Sequence, residues 1–497
     1  MRWTSATCAH AKALIPRAFV SQRYYDPRED GPVLAASRFD GKAVLQRGVE
    51  LSGMMRDLVR MTDTGSSAPG QQPIEMPGQA AVLSSAYAAQ ATQFGRSDAL
   101  AVGGINEVAV PVTAESRVYA GYAQHYLLTY FPNAYPRWYV DGFGELFATI
   151  VSREDGQIEY GRPPEGYAKA LNQYMRYPIA DVLTGKYLTD KRTTERWTPF
   201  HAWALTHMLF FSEERRGQLH AYLSTIAAGG SPEKAAAAFG DLGKLQRDLA
   251  AYDNHKVPYE RMTYPADRAG EPIVRRLTEG QAAFVKGRLE LGARVDIPPA
   301  SNDPALAKAR ADAIRERDEW LAGLRKDAAR YRANLEAQLL LAEAECRSGH
   351  GAECAEAADR ALALAPQNSD ALAWKGAGQM QLALAGPASD RAVRLKTARA
   401  TIARANRIDT ENPLPLLLYY RSFADAGENA PDVAIEGLAK AVDTVPAAPG
   451  PRVLLGEALA KRGETVAARR ALLPVAMGAY DSPEKVQAQA LLASLGG

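Results

Sequence analysis

The stretch LEAQLLLAEAECRSGHGAECAEAADRALALAP, residues 335–366, sets the reading of the second half of the chain. Its centre, S-G-H-G at 348–351, has the composition of a turn between two helices. Counted from Leu335, small side chains fall at Ala342, Cys354 and Ala361, where two helices need room to approach, and Pro366 ends the pair. The pattern restarts at Ser369: Gly376 takes the place of Ala342, and Ala398 and Ala405 fill the later small positions after an insertion near 386–396. A third round from Pro413 has Ala434 and Ala441 and ends near Pro446, and a fourth has Gly456 and Ala468. Residues 482–495 then read as a closing helix that covers the last apolar face.

A period of about 34 residues with these small positions resembles tetratricopeptide repeats. The resemblance implies an α-solenoid over residues 333–497, whose concave surface suits a protein or peptide ligand. The alternative use of such an array is to buttress the domain before it.

The other informative stretch is YAGYAQHYLLTYFPNAYPRWYVDGFGELFATI, residues 119–150. Tyr119, Tyr122, Tyr126 and Tyr130 recur at helical spacing, a ridge that reads as core packing. Pro132 and Pro136 break this helix, and a second one is predicted over 138–151 with Asp141 and Glu145 one turn apart on a shared face. The segments PRWYVDGFGELFATI and DGQIEYGRPPEGY, with HAWALTHMLFF at 201–211 and AFGDLGKLQRDLAAY at 238–252, are similar to those of a bacterial family of gluzincin-like peptidases. Many of its members carry C-terminal tetratricopeptide repeats. The similarity covers about residues 85–252.

Such enzymes hold zinc with the two histidines of an H-E-x-x-H helix, and the intervening glutamate activates water. Carried over by position, His125 matches the second histidine, Asp141 the third, acidic ligand, and Glu145 the second acid of the following helix. Gly121 and Tyr122 stand where the first histidine and the glutamate belong. Glycine offers no donor atom, and a phenol with a pKa near ~10 is a poor base at neutral pH.

The resemblance therefore implies a catalytically inactive, peptidase-like domain with a vestigial metal set, His125, Asp141 and Glu145, and a cleft lined by Tyr122, Trp138, Tyr139 and His207. No cofactor is expected. The alternative is an active zinc metallopeptidase with a rearranged metal site. The expected fold is mainly α: an α+β metallopeptidase-like domain with a small sheet at 76–257, then the α-solenoid of tetratricopeptide-type hairpins.

Other histidines offer no substitute set. His201 and His207, six residues apart, lie about 240° apart around a helix. His350 lies in the turn between Cys346 and Cys354. No G-x-S-x-G, phosphate-binding loop or dinucleotide fingerprint occurs.

The chain has 497 residues, a net charge of +2 and 47% hydrophobic residues, a composition that predicts two or three folded domains. Mixed charges give no basic face for nucleic acid, and no apolar run reaches the roughly 18 residues of a membrane span. Three cysteines, Cys8, Cys346 and Cys354, give no disulfide framework. Cys346 and Cys354 are expected as buried free thiols, although an exported chain could pair them. Export or a cell-envelope location follows from the resemblance, while residues 1–20 carry no readable signal peptide.

Residues 1–75 define little beyond an amphipathic helix at 44–61, and a loop at 62–79 follows. A helix at 80–94 and one or two short strands within 99–112 precede the tyrosine helix. Residues 258–332 read as a connector: a strand at 272–277, a helix opened by Thr278 with Gln281 at capping-box spacing, and a solvated, charged helix over 303–332.

Overall fold

A computed structural model describes residues 99–103, 109–112, 114–153, 156–165, 167, 177–190, 199–252, 257–263, 284, 287–288, 291–292, 294–295 and 297–496. The expectations for 1–94, for the strand at 272–277 and for the helix start at Thr278 and Gln281 lie outside the described residues, as does the side chain of Tyr122. The chain forms two compact units, one of Met1–Val274 with Ala447–Gly497 and one of Arg275–Pro446.

The first unit holds a four-stranded antiparallel sheet in the order β1-β4-β3-β2: β1 Ala99–Gly103, β2 Val151–Ser152, β3 Gln157–Tyr160 and β4 Val257–Thr263. Strand β4 lies between β1 and β3, with Ala101 opposite Tyr259 and Glu159 opposite Arg261. The expected domain boundary at 257/258 falls inside this strand. Pro258 disguises it in the sequence, yet Pro258 lies outside the stretch 260–263 that pairs with β3, so its missing N–H removes no bond on that side.

Helices α1 Ala114–Tyr130 and α2 Arg137–Ala148 follow β1. After a short α3, Ile179–Leu183, come α4 Pro199–Phe211, α5 Glu213–Ala227, α6 Pro232–Ala236 and α7 Leu242–Tyr252. The sequence of α4, PFHAWALTHMLFF, is apolar almost all round, the composition of a helix buried on every side. Its Trp203, Leu205 and Leu209 are fully enclosed with Trp138 and Leu146 of α2 and Tyr222 of α5. Ser231 caps α6 by accepting from the Lys234 N–H at 3.2 Å, as the Ser-Pro start requires.

The same unit contains α15 Pro449–Lys461, α16 Thr465–Ala476 and α17 Pro483–Ser494. Ala479 is part of its main hydrophobic cluster, with Met477 and Tyr480 packed against it. Leu473 sits where a side chain on Gly229 would otherwise be, 2.8 Å from the Cβ position. The predicted repeat domain of 333–497 is thus divided near residue 447, because its last helices carry apolar side chains that complete the first unit.

The second unit runs through α8 Pro304–Arg330, α9 Leu335–Arg347, α10 Gly351–Leu364, α11 Ser369–Ala385, α12 Ala388–Ile408, α13 Pro413–Ala424 and α14 Asp432–Thr444. Successive helices pack as hairpins, and α9, α11 and α13 also touch one another in turn. Ala342, Cys354, Ala361, Ala398, Ala405 and Ala441 have no exposed surface, so the predicted small positions are the helix contacts. The insertion near 386–396 is helical and lengthens α12.

Helix α8 corrects the reading of a solvated connector. Leu321, Leu324 and Ala328, three and four residues apart, are buried with Phe284, Leu291 and Val295 and with Ala337, Leu340 and Leu341 of α9. The hairpin core therefore begins upstream of residue 333.

Candidate functional site

Helix α2 carries most of the conspicuous residues of the first unit and lies between α1 and α4. Two glycines make that possible. A Cβ on Gly142 would lie 1.9 Å from Thr206 Oγ1 and 2.4 Å from the Ala202 carbonyl oxygen on α4, and one on Gly144 would lie 2.9 Å from the Ala120 carbonyl oxygen on α1. The helices approach too closely there for any side chain.

Burial sorts the expected site residues. Trp138, Tyr139 and His207 are core residues with 0%, 7% and 0% exposure. Large aromatic rings at the centre of a helix stack contribute most by exclusion from water. The Trp138 indole N–H donates to the Tyr222 hydroxyl at 3.3 Å, and that hydroxyl donates to the Leu183 carbonyl at 2.7 Å.

His207 is stacked between Trp203 and Phe211, ring centroids 4.3 and 4.2 Å away. Its Nε2 lies 2.8 Å from the Gly161 carbonyl oxygen, which can only accept, so this nitrogen carries the proton. Nδ1 then accepts from the Tyr252 hydroxyl at 2.7 Å. Burial pulls the imidazole pKa down to about 3, so it is neutral at physiological pH and ties α4 to the turn after β3 and to the end of α7.

The three residues expected as a metal set, His125, Asp141 and Glu145, are not grouped as a metal site. His125 is half-buried on α1, with Nε2 3.4 Å from Thr129 Oγ1. Glu145 is enclosed on α2, while Asp141, one turn earlier, is engaged by Arg137, whose Nε lies 2.9 and 2.8 Å from its two oxygens. The Arg137 guanidinium also sits 4.6 Å from the Tyr480 ring centroid. Burial holds the Asp141 carboxyl above its ordinary value against the pull of Arg137. Among the described residues, no three His, Cys, Asp or Glu side chains are grouped to hold a metal ion. The donor set does not fit zinc: one carboxylate is already matched to an arginine, and Gly121 supplies nothing.

A cluster absent from the sequence reading lies on the sheet. The enclosed carboxylate of Glu159 accepts from Arg153 Nη2 at 3.0 Å, Arg162 Nη1 at 3.2 Å and Arg261 Nε at 2.9 Å. Arg153 and Arg162 stand six and three residues from Glu159, whereas Arg261 is remote in sequence and is brought in by the β3–β4 register, which sets Glu159 opposite it.

In the second unit Cys346 and Cys354 are disulfide-bonded, which corrects the expectation of free thiols. They stand in the last turn of α9 and the first turn of α10, with Cα atoms 5.0 Å apart, inside the span a disulfide bridges. Beside them the buried Glu345 carboxylate accepts from Arg325 Nε at 2.5 Å and Nη2 at 2.7 Å, and from His350 Nδ1 at 2.8 Å. His350 therefore secures the hairpin turn.

No known protein family matches the sequence, and no curated protein matches it. Among solved structures, the crystal structure of a thermophilic TPR protein from Thermus thermophilus is similar, with 19% sequence identity and a TM-score of 0.31, over 39% of this chain and 98% of that chain.

Proposed function

We propose that this protein is a binding scaffold whose helical hairpins, read as tetratricopeptide repeats, present a surface to a protein or peptide, joined to a peptidase-like domain that does not catalyse. The observation that supports it most is the succession α9, α11, α13, whose mutual contacts align one layer of helices into a continuous surface. The inactive half of the reading is supported by Gly121 in the place of a ligand and by Asp141 committed to Arg137.

The test is a peptide-display selection on the full chain, followed by titration of a selected peptide into wild type and Arg421→Glu. Arg421 is an exposed side chain on α13. Saturable binding that weakens at least tenfold in the variant is expected, and failure to select any saturable peptide overturns the scaffold reading. Metal content is measured on the same preparation. Stoichiometric zinc with chelator-sensitive cleavage of an unfolded protein substrate would establish the peptidase alternative.

A further inference from the structure

The turn that Cys346 and Cys354 bridge has fastenings of its own. The Ser348 N–H donates to the Ala344 carbonyl at 3.1 Å, the Gly349 N–H to the Cys346 carbonyl at 3.1 Å and the His350 N–H to the Glu345 carbonyl at 2.9 Å. Gly349 takes the positive φ of 85° that this closure needs. The Glu345 carboxylate, engaged by Arg325, also holds His350 across the turn. The hairpin of α9 and α10 therefore stays closed in both oxidation states of the cysteine pair.

The sulfurs face the next helix. Cys354 is fully enclosed and Cys346 is 5% exposed. Cys354 Sγ lies 3.2 Å and Cys346 Sγ 3.6 Å from the Trp374 carbonyl oxygen of α11. A disulfide has no hydrogen to offer that oxygen, whereas a thiol donates its S–H. A buried acceptor thus stands in place for the reduced form.

Room beside the pair is short. A Cβ on Gly378 of α11 would lie 2.6 Å from the Gly351 carbonyl oxygen, and one on Gly351 of α10 would lie 2.9 Å from the Gly378 carbonyl oxygen. Gln381 Nε2 of α11 donates to the Cys346 carbonyl at 2.7 Å. Two thiols need more space than a bonded pair, because unbonded sulfurs stay at van der Waals distance. Backbones in contact do not yield by side-chain rotation, so the space comes from a shift of the α9–α10 hairpin against α11.

We infer that Cys346 and Cys354 form a reversible thiol–disulfide switch, worked by a dithiol reductant, that sets how the first hairpin packs on α11. Helices α9 and α11 are neighbours in the layer α9, α11, α13, so the switch changes the geometry of that layer. Exchange begins at Cys346, the less enclosed sulfur, next to the exposed Arg347 and Gly349. A thiolate of the reductant bonds to Cys346 Sγ, and the electron pair of the old S–S bond leaves with Cys354 Sγ, which takes up a proton. The reductant's second thiolate then bonds to its first sulfur, Cys346 Sγ leaves and is protonated, and the reductant departs as a cyclic disulfide.

The experiment equilibrates the full chain with defined mixtures of reduced and oxidised dithiothreitol. Alkylation and mass spectrometry count the thiols of Cys346 and Cys354, and backbone hydrogen exchange is followed helix by helix. Reversible reduction with the helical circular-dichroism signal retained is expected, and exchange in α10 and α11 should rise about tenfold more than in α13 and α14. Cys346→Ser combined with Cys354→Ser should hold the reduced pattern with or without reductant. Reduction only together with unfolding, an even rise across the second unit, or no rise overturns the switch and leaves a structural staple. No ligand enters the measurement, so its outcome is separate from that of the scaffold reading.

Discussion

The two units bring helices together by different means. In the second unit small residues recur at matching positions, alanines, a cysteine and Gly376, and a Cβ on Gly376 would meet the Ile402 side chain, while Gly351 and Gly378 meet through backbone, with a Cβ on Gly378 only 2.6 Å from the Gly351 carbonyl oxygen. In the first unit the close contacts of α2 do not recur: a Cβ on Gly142 would meet both the Thr206 hydroxyl and the Ala202 carbonyl oxygen, and one on Gly144 both the Ala120 carbonyl oxygen and the Gln124 side chain. A side-chain neighbour can rotate away, whereas a backbone carbonyl cannot move without moving its helix. A position facing mainly a side chain, such as Gly376, should therefore tolerate substitution better than Gly142, which also faces a carbonyl at 2.4 Å.

Substitution at the closest contacts breaks this comparison most directly. Gly142→Ala places a methyl group 2.4 Å from the Ala202 carbonyl oxygen, and a loss of about 3 kcal/mol in chemical denaturation is expected from such overpacking. Gly376→Ala meets Ile402 Cγ1 at 2.4 Å, part of a buried β-branched side chain with little rotamer freedom in its helix, and should lose about 2 kcal/mol. Equal losses would remove the distinction.

The next effect belongs to His207. Its folded pKa of about 3 lies below the ordinary 6.5, so between these values the unfolded chain binds a proton that the folded chain refuses. Stability is full above pH 6.5 and falls as pH drops, by up to about 1.4 kcal/mol per unit. Denaturation of wild type and His207→Gln at pH 7 and pH 5 should show the steeper loss in the wild type, and parallel slopes would contradict the burial.

Reduction of the Cys346–Cys354 bond should lower the stability of the second unit by about 2 kcal/mol, as expected for a short closed loop. Calorimetry with and without a thiol reductant measures it. The smallest effect is a gain: nothing lies within 4 Å of a Cβ on Gly217 in α5, so Gly217→Ala should stabilise the first unit by about 0.5 kcal/mol through helix propensity.

The hairpins were legible because their small residues recur at a fixed period, and Ala342, Cys354 and Ala361 stand at the contacts their spacing implied. Helix α8 was half-legible: its buried residues 321, 324 and 328 have helical spacing, but the charges around them dominate the sequence. Strand β4 was hidden by Pro258 and by arginine and glutamate side chains that pair across the sheet. At the candidate site Trp138, Tyr139 and His207 are enclosed in the core, and the Arg137–Asp141 pair, four residues apart, was readable as a helix ion pair. Arg153 and Arg162 are local to Glu159, whereas the approach of Arg261 depends on strand register and had no local signature.

The division of the first unit into Met1–Val274 and Ala447–Gly497 also fixes an order of events during synthesis. Leu473, Ala479 and Tyr480 leave the ribosome after every residue of the hairpins. The nascent chain can close the inner segment, Arg275–Pro446, while the outer one still lacks part of its core. The region translated first is thus the last to be completed, and until then it presents unfilled apolar surface to any chaperone that meets the growing chain.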